Sequence, residues 1–311
     1  MKKEIYYKFR NLIDKIENKR GIDGNFFVIN RGRNCENLLY ILAGYKPELW
    51  KNIFERIRKE DLDDFDVCII SSGIYSQKLE KIAQHNKWSY IYSKQNRISN
   101  IQNKAITCFP KARTIWKLDE DMFICKGYFE IMKATKIKAE KELEYDIGFL
   151  GPLIPINNYG YVRFLKYCNK LQEYEQRFGV AKVGFNERKA INLHSFFEAN
   201  KYLWEITGNI DTKAKEFNQG KLKYSICAGR FSIGAIMFDR ELWEDMGGFK
   251  RDRYPCDGRD EEEITSYCVL RSKAMVVAED ALVGHYCFGG FYTNMNKFMK
   301  DNKYRFLKEE E

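Results

Sequence analysis

Residues 114–121 read TIWKLDED, an apolar run that ends in Asp119 and Asp121. A short run of β-branched and aromatic residues predicts a strand. Open α/β sheets bind their ligands at the carboxyl ends of strands, which is where the two carboxylates would lie. Such oxygens suit a divalent cation, which is commonly shared with nucleotide phosphates. The stretch therefore predicts a metal and nucleotide site at a sheet edge.

The same Asp-x-Asp spacing also occurs at 61–63 and 64–66. These acids precede the apolar run 67–70, so they would lie at the amino-terminal end of a strand, away from the ligand-binding edge. Spacing alone is therefore a weak signal, and structural context separates the matches. We interpret 61–66 as a solvated acidic loop.

Length and composition limit the class of protein. The chain has 311 residues, 44 % hydrophobic and 15 % aromatic, which suffices for the core of one large domain or two small ones. Charged residues make up 31 %, and no apolar stretch approaches the roughly 18–20 residues that span a bilayer. The first residues also lack the apolar segment of a secretory signal. We therefore expect a soluble protein.

The nine cysteines are scattered and form no Cys-x-x-Cys pair. This pattern supports neither a disulfide framework nor a zinc site. Free thiols are typical of a reducing compartment, so we expect a cytoplasmic location, including the inner face of a membrane.

The net charge is +9 and is spread over the chain. An excess of this sign attracts nucleic acid, anionic lipid headgroups or phosphorylated substrates. No run of five or six like charges favours one of these partners over the others.

Strand-like and helix-like segments alternate over the first 121 residues. Apolar and β-branched runs predict strands at 26–29, 65–70, 88–92 and 114–118. Helical spacing predicts helices over 4–18, over 38–42 after a cap at Asn34, and over 77–86 and 98–108. Alternation of this kind indicates an α/β fold with a mostly parallel central sheet flanked by helices.

The pattern changes after the acidic turn. Residues 161–218 are polar, aromatic and helical, whereas β-character returns at 224–238 and 274–278. We accordingly predict four regions: an N-terminal helix (1–24), a nucleotide-binding half (25–150), a helical insertion that is an acceptor or lid region (151–220), and an acceptor-binding and catalytic half of the same domain (221–311).

Three groups of residues could carry chemistry, namely Asp119 with Asp121, the acidic quartet 260–263, and His285. Each has a plainer explanation on its own. Acids in a first helical turn stabilise the helix by ~0.3–1 kcal/mol each. A lone histidine is more often a structural residue than a ligand.

In combination, the three groups resemble the motifs of GT-A-fold glycosyltransferases, and are similar to family 2 enzymes and the inverting galactosyltransferase group. Residues 118–122 resemble the metal-binding turn, 246–249 the Gly-Gly turn before the catalytic acid, and 260–264 the Glu-Asp-x-x-Leu segment. The resemblance covers most of 25–286. It implies a GT-A fold and the transfer of a sugar from a nucleotide sugar, with a UDP-sugar expected, in bacterial surface-glycan or glycoprotein assembly.

The resemblance also implies roles for individual residues. The metal ligands would be Asp119, Asp121 and His285, and the metal Mn²⁺ or Mg²⁺. Glu261 would be the general base, since the acceptor hydroxyl must lose a proton as it attacks. Asp260 would hold acceptor hydroxyls. A single base implies inversion at the anomeric carbon.

Residues that follow the predicted strands are the candidates for binding the nucleotide. The resemblance assigns contacts with the nucleotide sugar to Asn30, Arg31, Ser71, Ser72, Asn96, Arg97, Lys104, Asp119 and Glu120. Ser71 and Ser72 stand where the family often has acids, one of which reads uracil. Arg97 and Lys104 are equally well explained as solvated surface charge.

The acceptor would bind in the catalytic half, at Trp243, Gly248, Arg259 and Asp260. The resemblance implies a glycan, glycolipid or glycoprotein acceptor and no nucleic-acid partner, with peripheral membrane association left open. Aromatic residues of the insertion could stack on sugars, although their helical spacing favours a role in the core.

Two other functions compete with this one. A sugar-nucleotide pyrophosphorylase uses a related sheet, but it should carry a Gly-rich phosphate loop after the first strand, where 30–34 holds one glycine. A non-catalytic basic protein that binds nucleic acid or membrane would explain the charge of +9 but not the acidic groups.

Overall fold

A computed structural model describes residues 2–22, 25–184, 193, 196–218, 222–252, 258–287 and 289–308. The strands are β1 (Phe26–Ile29), β2 (Asn37–Leu42), β3 (Phe65–Ser72), β4 (Ser89–Ser93), β5 (Thr114–Asp119), β6 (Met122–Ile124), β7 (Ile147–Leu153), β8 (Tyr224–Ile226), β9 (Ala235–Asp239) and β10 (Ala274–His285). The helices are α1 (Lys2–Ile22), α2 (Trp50–Arg58), α3 (Gln77–His85), α4 (Ile98–Cys108), α5 (Tyr128–Glu142), α6 (Gly160–Tyr167), α7 (Leu171–Phe178), α8 (Phe197–Thr207), α9 (Ile210–Phe217), α10 (Arg240–Asp245), α11 (Arg259–Leu270) and α12 (Tyr292–Leu307). The predicted α/β class is confirmed.

The chain divides into two compact units. Unit 1 comprises Met1–Glu48, Asp61–Glu120 and Ile233–Ala274, and unit 2 comprises Leu49–Glu60, Asp121–Ser232 and Met275–Glu311. The predicted insertion falls within unit 2, and the boundary between the units falls inside the acidic turn, after its second residue. The predicted division into four regions stays a prediction. Among the helices that the structure describes, none combines the length and apolarity needed to cross a membrane.

The strands of unit 1 lie in the order β1-β4-β3-β2-β5-β9. The four strands β4, β3, β2 and β5 are parallel neighbours. β1 runs antiparallel to β4, and β9 runs antiparallel to β5. Every residue of β3 is buried, as expected for a strand covered on both faces. The predicted, largely parallel arrangement is therefore confirmed for this unit.

Residues 38–42 belong to strand β2, so the helix predicted there is wrong. Leu38, Leu39, Tyr40 and Ile41 are all fully buried. A short run without a polar face suits a central parallel strand, and periodicity alone cannot distinguish such a run from a buried helical turn. Asn34, the predicted helix cap, instead has a φ of 67°, the left-handed conformation of a turn residue.

Strand β10 organises unit 2. It has β7 and β6 as neighbours and also pairs with β8. All twelve residues of β10 are buried, and it extends well past the predicted end at residue 278. His285 is therefore the last residue of the strand and does not lie beyond it. β6, which follows the acidic turn directly, pairs with this end of β10 in antiparallel register, and Met122 lies opposite His285.

Helices α6 to α9 account for the predicted helical segment 161–218. Most of its aromatic side chains are buried and touch one another. The rings of Tyr174 and Phe178 are 5.0 Å apart, and those of Phe164 and Phe217 are 5.8 Å apart. These aromatics form a core, as their helical spacing indicates.

Asn103 of α4 fixes the turn that precedes α11. Its Oδ1 accepts hydrogen bonds from the Phe249 backbone N–H and the Trp243 indole N–H, both at 2.9 Å. Its Nδ2 donates to the Phe249 carbonyl at 2.6 Å. The turn itself places Gly247 and Gly248 at φ values of 79° and 82°, which glycine adopts without a steric penalty.

We expect Asn103→Ala to lower the free energy of unfolding by about 2–4 kcal/mol, because it leaves buried partners of three hydrogen bonds unsatisfied. Urea denaturation measures this loss. Asn86→Ala is the matched control, since Asn86 is half-buried and donates one bond to the Ile82 carbonyl. Its loss should stay below about 1 kcal/mol. Equal losses in the two variants would contradict the role of Asn103.

Candidate functional site

Lys117 lies at the centre of a buried charged cluster in unit 1. Its Nζ is 3.3 Å from Asp119 Oδ1 and 3.7 Å from Asp260 Oδ2. It also donates a hydrogen bond of 3.0 Å to the Ile233 carbonyl. We name Lys117, Asp119 and Asp260 the lysine cluster. It joins the first acid of the acidic turn to the first acid of the quartet.

The ammonium of Lys117 stays charged although the residue is only 3 % exposed. Burial lowers its pKa, but the nearby carboxylates of Asp119 and Asp260 outweigh burial, and the net pKa is raised from the usual value. Because an unpaired buried ammonium is costly, the lysine depends on both acids, and they depend on it.

A buried hydrogen-bond chain holds Asp260 from the other side. The Tyr40 hydroxyl donates to Gln102 Oε1 at 2.7 Å, and Gln102 Nε2 donates to Asp260 Oδ2 at 2.8 Å. Burial raises the pKa of Tyr40 well above its usual value, so the hydroxyl remains a donor. Asp260 is 5 % exposed. This geometry suits a positioning carboxylate, and the predicted contact of Asp260 with an acceptor stays a prediction.

Glu261 is more accessible than Asp260. Its side chain is half-buried, and its Oε2 accepts a hydrogen bond of 3.4 Å from the Ile233 backbone N–H. Ile233 thus contacts Glu261 through its N–H and Lys117 through its carbonyl. The backbone of one residue therefore places the predicted base beside the lysine cluster.

The predicted acceptor residues Arg259 and Gly248 line a groove on another face of α11. The groove has a volume of about 460 Å³ and is also lined by Glu263 and by Tyr7 of α1. Asp260, in contrast, faces Lys117 of the sheet. Within unit 1, the structure therefore separates two of the predicted acceptor contacts from the third.

Glu263 is the last acid of the quartet, to which the sequence assigns no individual role. Burial raises the pKa of its carboxyl to about 7, and the hydrogen bond from the Lys250 backbone N–H, at 2.6 Å, opposes the rise. The side chain thereby ties α11 to the segment after the Gly-Gly turn. A near-neutral pKa also marks candidates for acid–base work, but this carboxyl lies on the groove side of the helix.

Trp243, the fourth predicted acceptor residue, is half-buried in α10. Its indole N–H is bound by Asn103, and the guanidinium of Arg240 lies 5.9 Å from its ring centre. These contacts give the tryptophan a structural role. Its contact with an acceptor stays a prediction.

Glu120 of the acidic turn holds the loop after β2. Its two carboxylate oxygens accept hydrogen bonds from the backbone N–H groups of Gly44 and Tyr45, at 2.9 and 2.8 Å. The Tyr45 hydroxyl in turn donates to the Ser72 carbonyl at 2.8 Å. Glu120 is 6 % exposed, so these contacts suit a positioning role rather than the predicted contact with a nucleotide.

Ser71 and Ser72 end β3 at the carboxyl edge of the parallel strands, where the sequence places them. Both hydroxyls are hydrogen-bonded within the protein, since Ser71 Oγ donates to the Ile74 carbonyl and Ser72 Oγ to the Gln95 carbonyl. Asn96 lies against Gly73, where an added Cβ would stand 2.7 Å from the asparagine Cβ. The loops after β3 and β4 are therefore packed together at this edge.

Arg97 and Lys104 follow β4 as predicted, Arg97 at the start of α4 and Lys104 within it, and both have partners within the protein. Arg97 Nη1 donates to the Asp252 carbonyl at 2.9 Å. Lys104 Nζ lies 5.7 Å from the ring centre of Phe26. Nucleotide contacts by these two residues stay predictions.

The expectation that Asn30 and Arg31 reach the carboxyl edge of the sheet is wrong. β1 runs antiparallel to β4, and Ile29 lies opposite Tyr90 near the start of β4. Arg31 consequently binds the carbonyl of Trp88, just before β4 begins, at 2.8 Å. The two residues lie at the amino-terminal edge of the parallel strands, away from the end where ligands of such sheets bind.

Asp121 and His285 form a close pair in unit 2, which we name the histidine pair. His285 Nε2 is 3.5 Å from Asp121 Oδ2, and both residues are less than 10 % exposed. The Tyr286 backbone N–H donates to the Asp121 carbonyl at 3.0 Å, which extends the pairing of β6 with β10. The structure thus brings together two of the predicted metal ligands.

The other ring nitrogen of His285 is held by the backbone. Nδ1 lies 2.9 Å from the Ile156 carbonyl, which can only accept, so Nδ1 carries a proton. In the neutral ring, Nε2 then directs a lone pair towards the Asp121 carboxylate. Two electron-rich atoms facing each other need a cation or a second proton between them, and a carbonyl behind the ring is the usual support of a metal-bound histidine. The pair therefore fits a divalent cation.

A complete metal centre is not formed in the described ranges. Over residues 2–22, 25–184, 193, 196–218, 222–252, 258–287 and 289–308, no group of three His, Cys, Asp or Glu side chains is arranged to hold a metal ion. The assignment of Asp119 as a further ligand stays a prediction.

The residue that sequence reasoning missed is Lys117. The signal was present, since a charge in the middle of the apolar strand β5 must be paired if it is buried. Gln102 and Tyr40 gave no such signal, because one sits on a helix with many polar residues and the other inside an apolar run.

Comparisons with known proteins find similarity at the level of solved structures. No protein-family model matches the chain, and no curated protein sequence matches it. One similar structure is the mannosyltransferase PcManGT from Pyrobaculum calidifontis, in complex with GDP-Man and Mn²⁺ (12 % identity, TM-score 0.45, 93 % of this chain and 68 % of that one). Others are S. aureus TarS 1–349 (11 %, 0.47, 88 % and 67 %) and S. aureus TarS (11 %, 0.46, 88 % and 40 %). Likeness of this extent assigns neither an activity nor a site to this chain.

We expect Lys117→Met to lower the free energy of unfolding by about 3–5 kcal/mol near pH 8, because the buried carboxylate of Asp260 and the half-buried one of Asp119 lose the charge of Lys117. The loss should shrink as the pH rises through the folded pKa of Lys117, where the ammonium gives up its proton. In the unchanged protein the raised pKa of Lys117 contributes stability below its unfolded value of 10.5, and this is lost as the pH rises through the folded value.

Urea denaturation at several pH values measures both effects. Lys170→Met is the control, since Lys170 forms a largely exposed ion pair with Glu173 that is worth about 0–1 kcal/mol. A loss for Lys117→Met that does not change as the pH is raised from 8 to well above 10.5 would show that packing, and not charge, explains it.

Proposed function

We propose that the protein is a metal-dependent glycosyltransferase, which moves a sugar from a nucleotide sugar to an acceptor hydroxyl. The observation that carries the proposal is the histidine pair. Its two members are far apart in the sequence, yet Nε2 of His285 and Oδ2 of Asp121 are 3.5 Å apart in a buried site with a carbonyl behind the ring. That arrangement supports metal binding at the acidic turn, which the sequence resemblance implies.

In this proposal, Asp121 and His285 hold the cation, with Asp119 as a predicted further ligand. A divalent cation, Mn²⁺ or Mg²⁺, supplies charge stabilisation to the departing nucleoside diphosphate. The Ile156 carbonyl keeps the proton on Nδ1 and so leaves Nε2 for the metal. β6 and β10 keep the two side chains in register.

Glu261 is the proposed general base. Its half-buried carboxylate would accept the proton of the acceptor hydroxyl as that oxygen attacks the anomeric carbon. Lys117, through Asp260 and the Ile233 backbone, fixes the segment from which Glu261 projects. One base acting on one attacking oxygen corresponds to inversion.

The finer features are part of the same proposal. They are a UDP-sugar donor, a hexosyl group, an acceptor that is a glycan, a lipid-linked sugar or a protein, and a place in bacterial surface-glycan or glycoprotein assembly at the cytoplasmic face of a membrane. The pyrophosphorylase alternative loses support, because residues 30–34 follow the antiparallel strand β1 and lie at the edge opposite to the ligand-binding end.

We expect the protein to bind Mn²⁺, and to bind one of UDP, GDP or CDP in a Mn²⁺-dependent way. Asp121→Asn and His285→Gln should each weaken Mn²⁺ binding at least about tenfold, since each removes one ligand of the pair. Isothermal titration of the metal alone, and then of the nucleotides, measures both steps. Asp63→Asn, in the exposed acidic loop, is the matched control and should bind as the unchanged protein does. Unchanged Mn²⁺ affinity in both site variants would contradict the assignment of Asp121 and His285 as metal ligands.

We expect Glu261→Gln to bind Mn²⁺ and nucleotide normally but to lower kcat by about 10²–10⁴-fold, because the amide cannot take the acceptor proton. Release of nucleoside diphosphate from a panel of nucleotide sugars and acceptors gives the rate. Glu262→Gln is the control, since Glu262 is the exposed neighbour on the same helix. Near-native turnover of Glu261→Gln would place the base elsewhere.

A further inference from the structure

Helix α1 exposes a large apolar surface. Six of the ten residues from Glu4 to Ile13 are large hydrophobic side chains with substantial exposure, namely Ile5 (61 %), Tyr6 (60 %), Tyr7 (48 %), Phe9 (64 %), Leu12 (53 %) and Ile13 (43 %). Scattered exposed hydrophobic residues are ordinary, but a contiguous set on one helix marks an interaction surface.

The orientation of α1 explains why these apolar side chains are exposed. Among the side chains of α1 that the structure describes, Tyr7, Arg10 and Asn11 line the groove beside α11. At 100° per residue, Ile5, Phe9 and Leu12 project from the opposite side of the helix. An amphipathic helix of a globular protein normally buries its apolar stripe. Here the helix packs through a mixed polar face and presents the apolar stripe outward.

The charge of α1 indicates what this stripe contacts. The helix sequence contains seven basic and three acidic residues, a net +4 out of the +9 of the whole chain. Lys8, between the exposed apolar positions, is itself exposed. Arg271, which lies over the Tyr7 ring at 5.4 Å, belongs to the groove on the inward side of the helix. Apolar groups and the cationic Lys8 are therefore mixed on the outward side of α1.

We propose that the outward stripe of α1 lies on an anionic lipid bilayer. Helices that rest in the membrane interface combine an apolar face with Lys and Arg, and they sink the apolar face to the level of the acyl chains. Tyrosine rings favour the same depth, because one end is apolar and the other polar. Each basic residue near an anionic surface adds to the attraction.

The charge also argues against a second copy of the chain as the occupant. Two copies joined through α1 would bring two helices of net positive sequence charge together, and like charges repel at such an interface. The bilayer proposal does not depend on the chemistry proposed above, because it rests on residues outside the histidine pair and the lysine cluster.

Co-sedimentation with vesicles tests the proposal. We expect the full chain to bind vesicles of phosphatidylcholine with phosphatidylglycerol at least about tenfold more tightly than phosphatidylcholine alone, and to release as salt is raised. Phe9→Ser should weaken binding to the anionic vesicles about tenfold or more, because it removes a ring that would be buried in lipid. Lys8→Glu should weaken it by a smaller factor and reduce the salt dependence.

Ile137→Ser is the matched control, since Ile137 is an apolar residue of α5 with 54 % exposure. It should bind vesicles as the unchanged protein does. Thermal unfolding of all variants should be unaltered, because the changed side chains are exposed. Mn²⁺ titration run on the same samples should also be unaltered, which separates this proposal from the proposed function.

Two results would overturn the proposal. One is equal binding to neutral and anionic vesicles, or equal binding by Phe9→Ser and Ile137→Ser. The other is a lipid-free oligomer, seen by sedimentation velocity, that Phe9→Ser dissociates, since the stripe would then belong to a protein interface.

Discussion

The ammonium of Lys117 is the constraint on which unit 1 depends. It is placed inside a sheet, where an unpaired charge costs several kcal/mol, so the chain must bring oxygen atoms to it. Asp119 comes from the same strand, Asp260 from α11 and the Ile233 carbonyl from the segment before β9. Three parts of the chain that are remote in sequence are thereby fixed to one point.

The direction of each strand determines at which edge of the sheet its following loop lies. Because β4, β3, β2 and β5 are parallel, the loops that follow them meet, and they are tied by backbone contacts such as those of Glu120 with Gly44 and Tyr45. Because β1 is antiparallel, the loop after it leaves at the other edge. Several side chains that sequence suggests for ligand contact are used instead to hold these loops.

Much of this architecture could be predicted from residue patterns. The strand β5, the acidic turn after it and the helical segment 161–218 could all be predicted, because each is marked by the residues of its own stretch of sequence. β2 was not, since a short run that is buried on both faces has no period to detect. The direction of β1 and the pairing of Asp121 with His285 depend on distant partners. No local pattern in the sequence indicates the direction of β1. The pairing of Asp121 with His285 was predicted only from the resemblance to a family.

The lysine cluster and its neighbour Glu261 bring three carboxyl groups close together. Carboxylates repel a diphosphate, which carries the same sign. A donor that approaches Asp119 alone would meet this repulsion, whereas a donor already neutralised by a cation would not. For the proposed glycosyltransferase, electrostatics therefore favours an order of addition in which the metal binds before the nucleotide or enters with it.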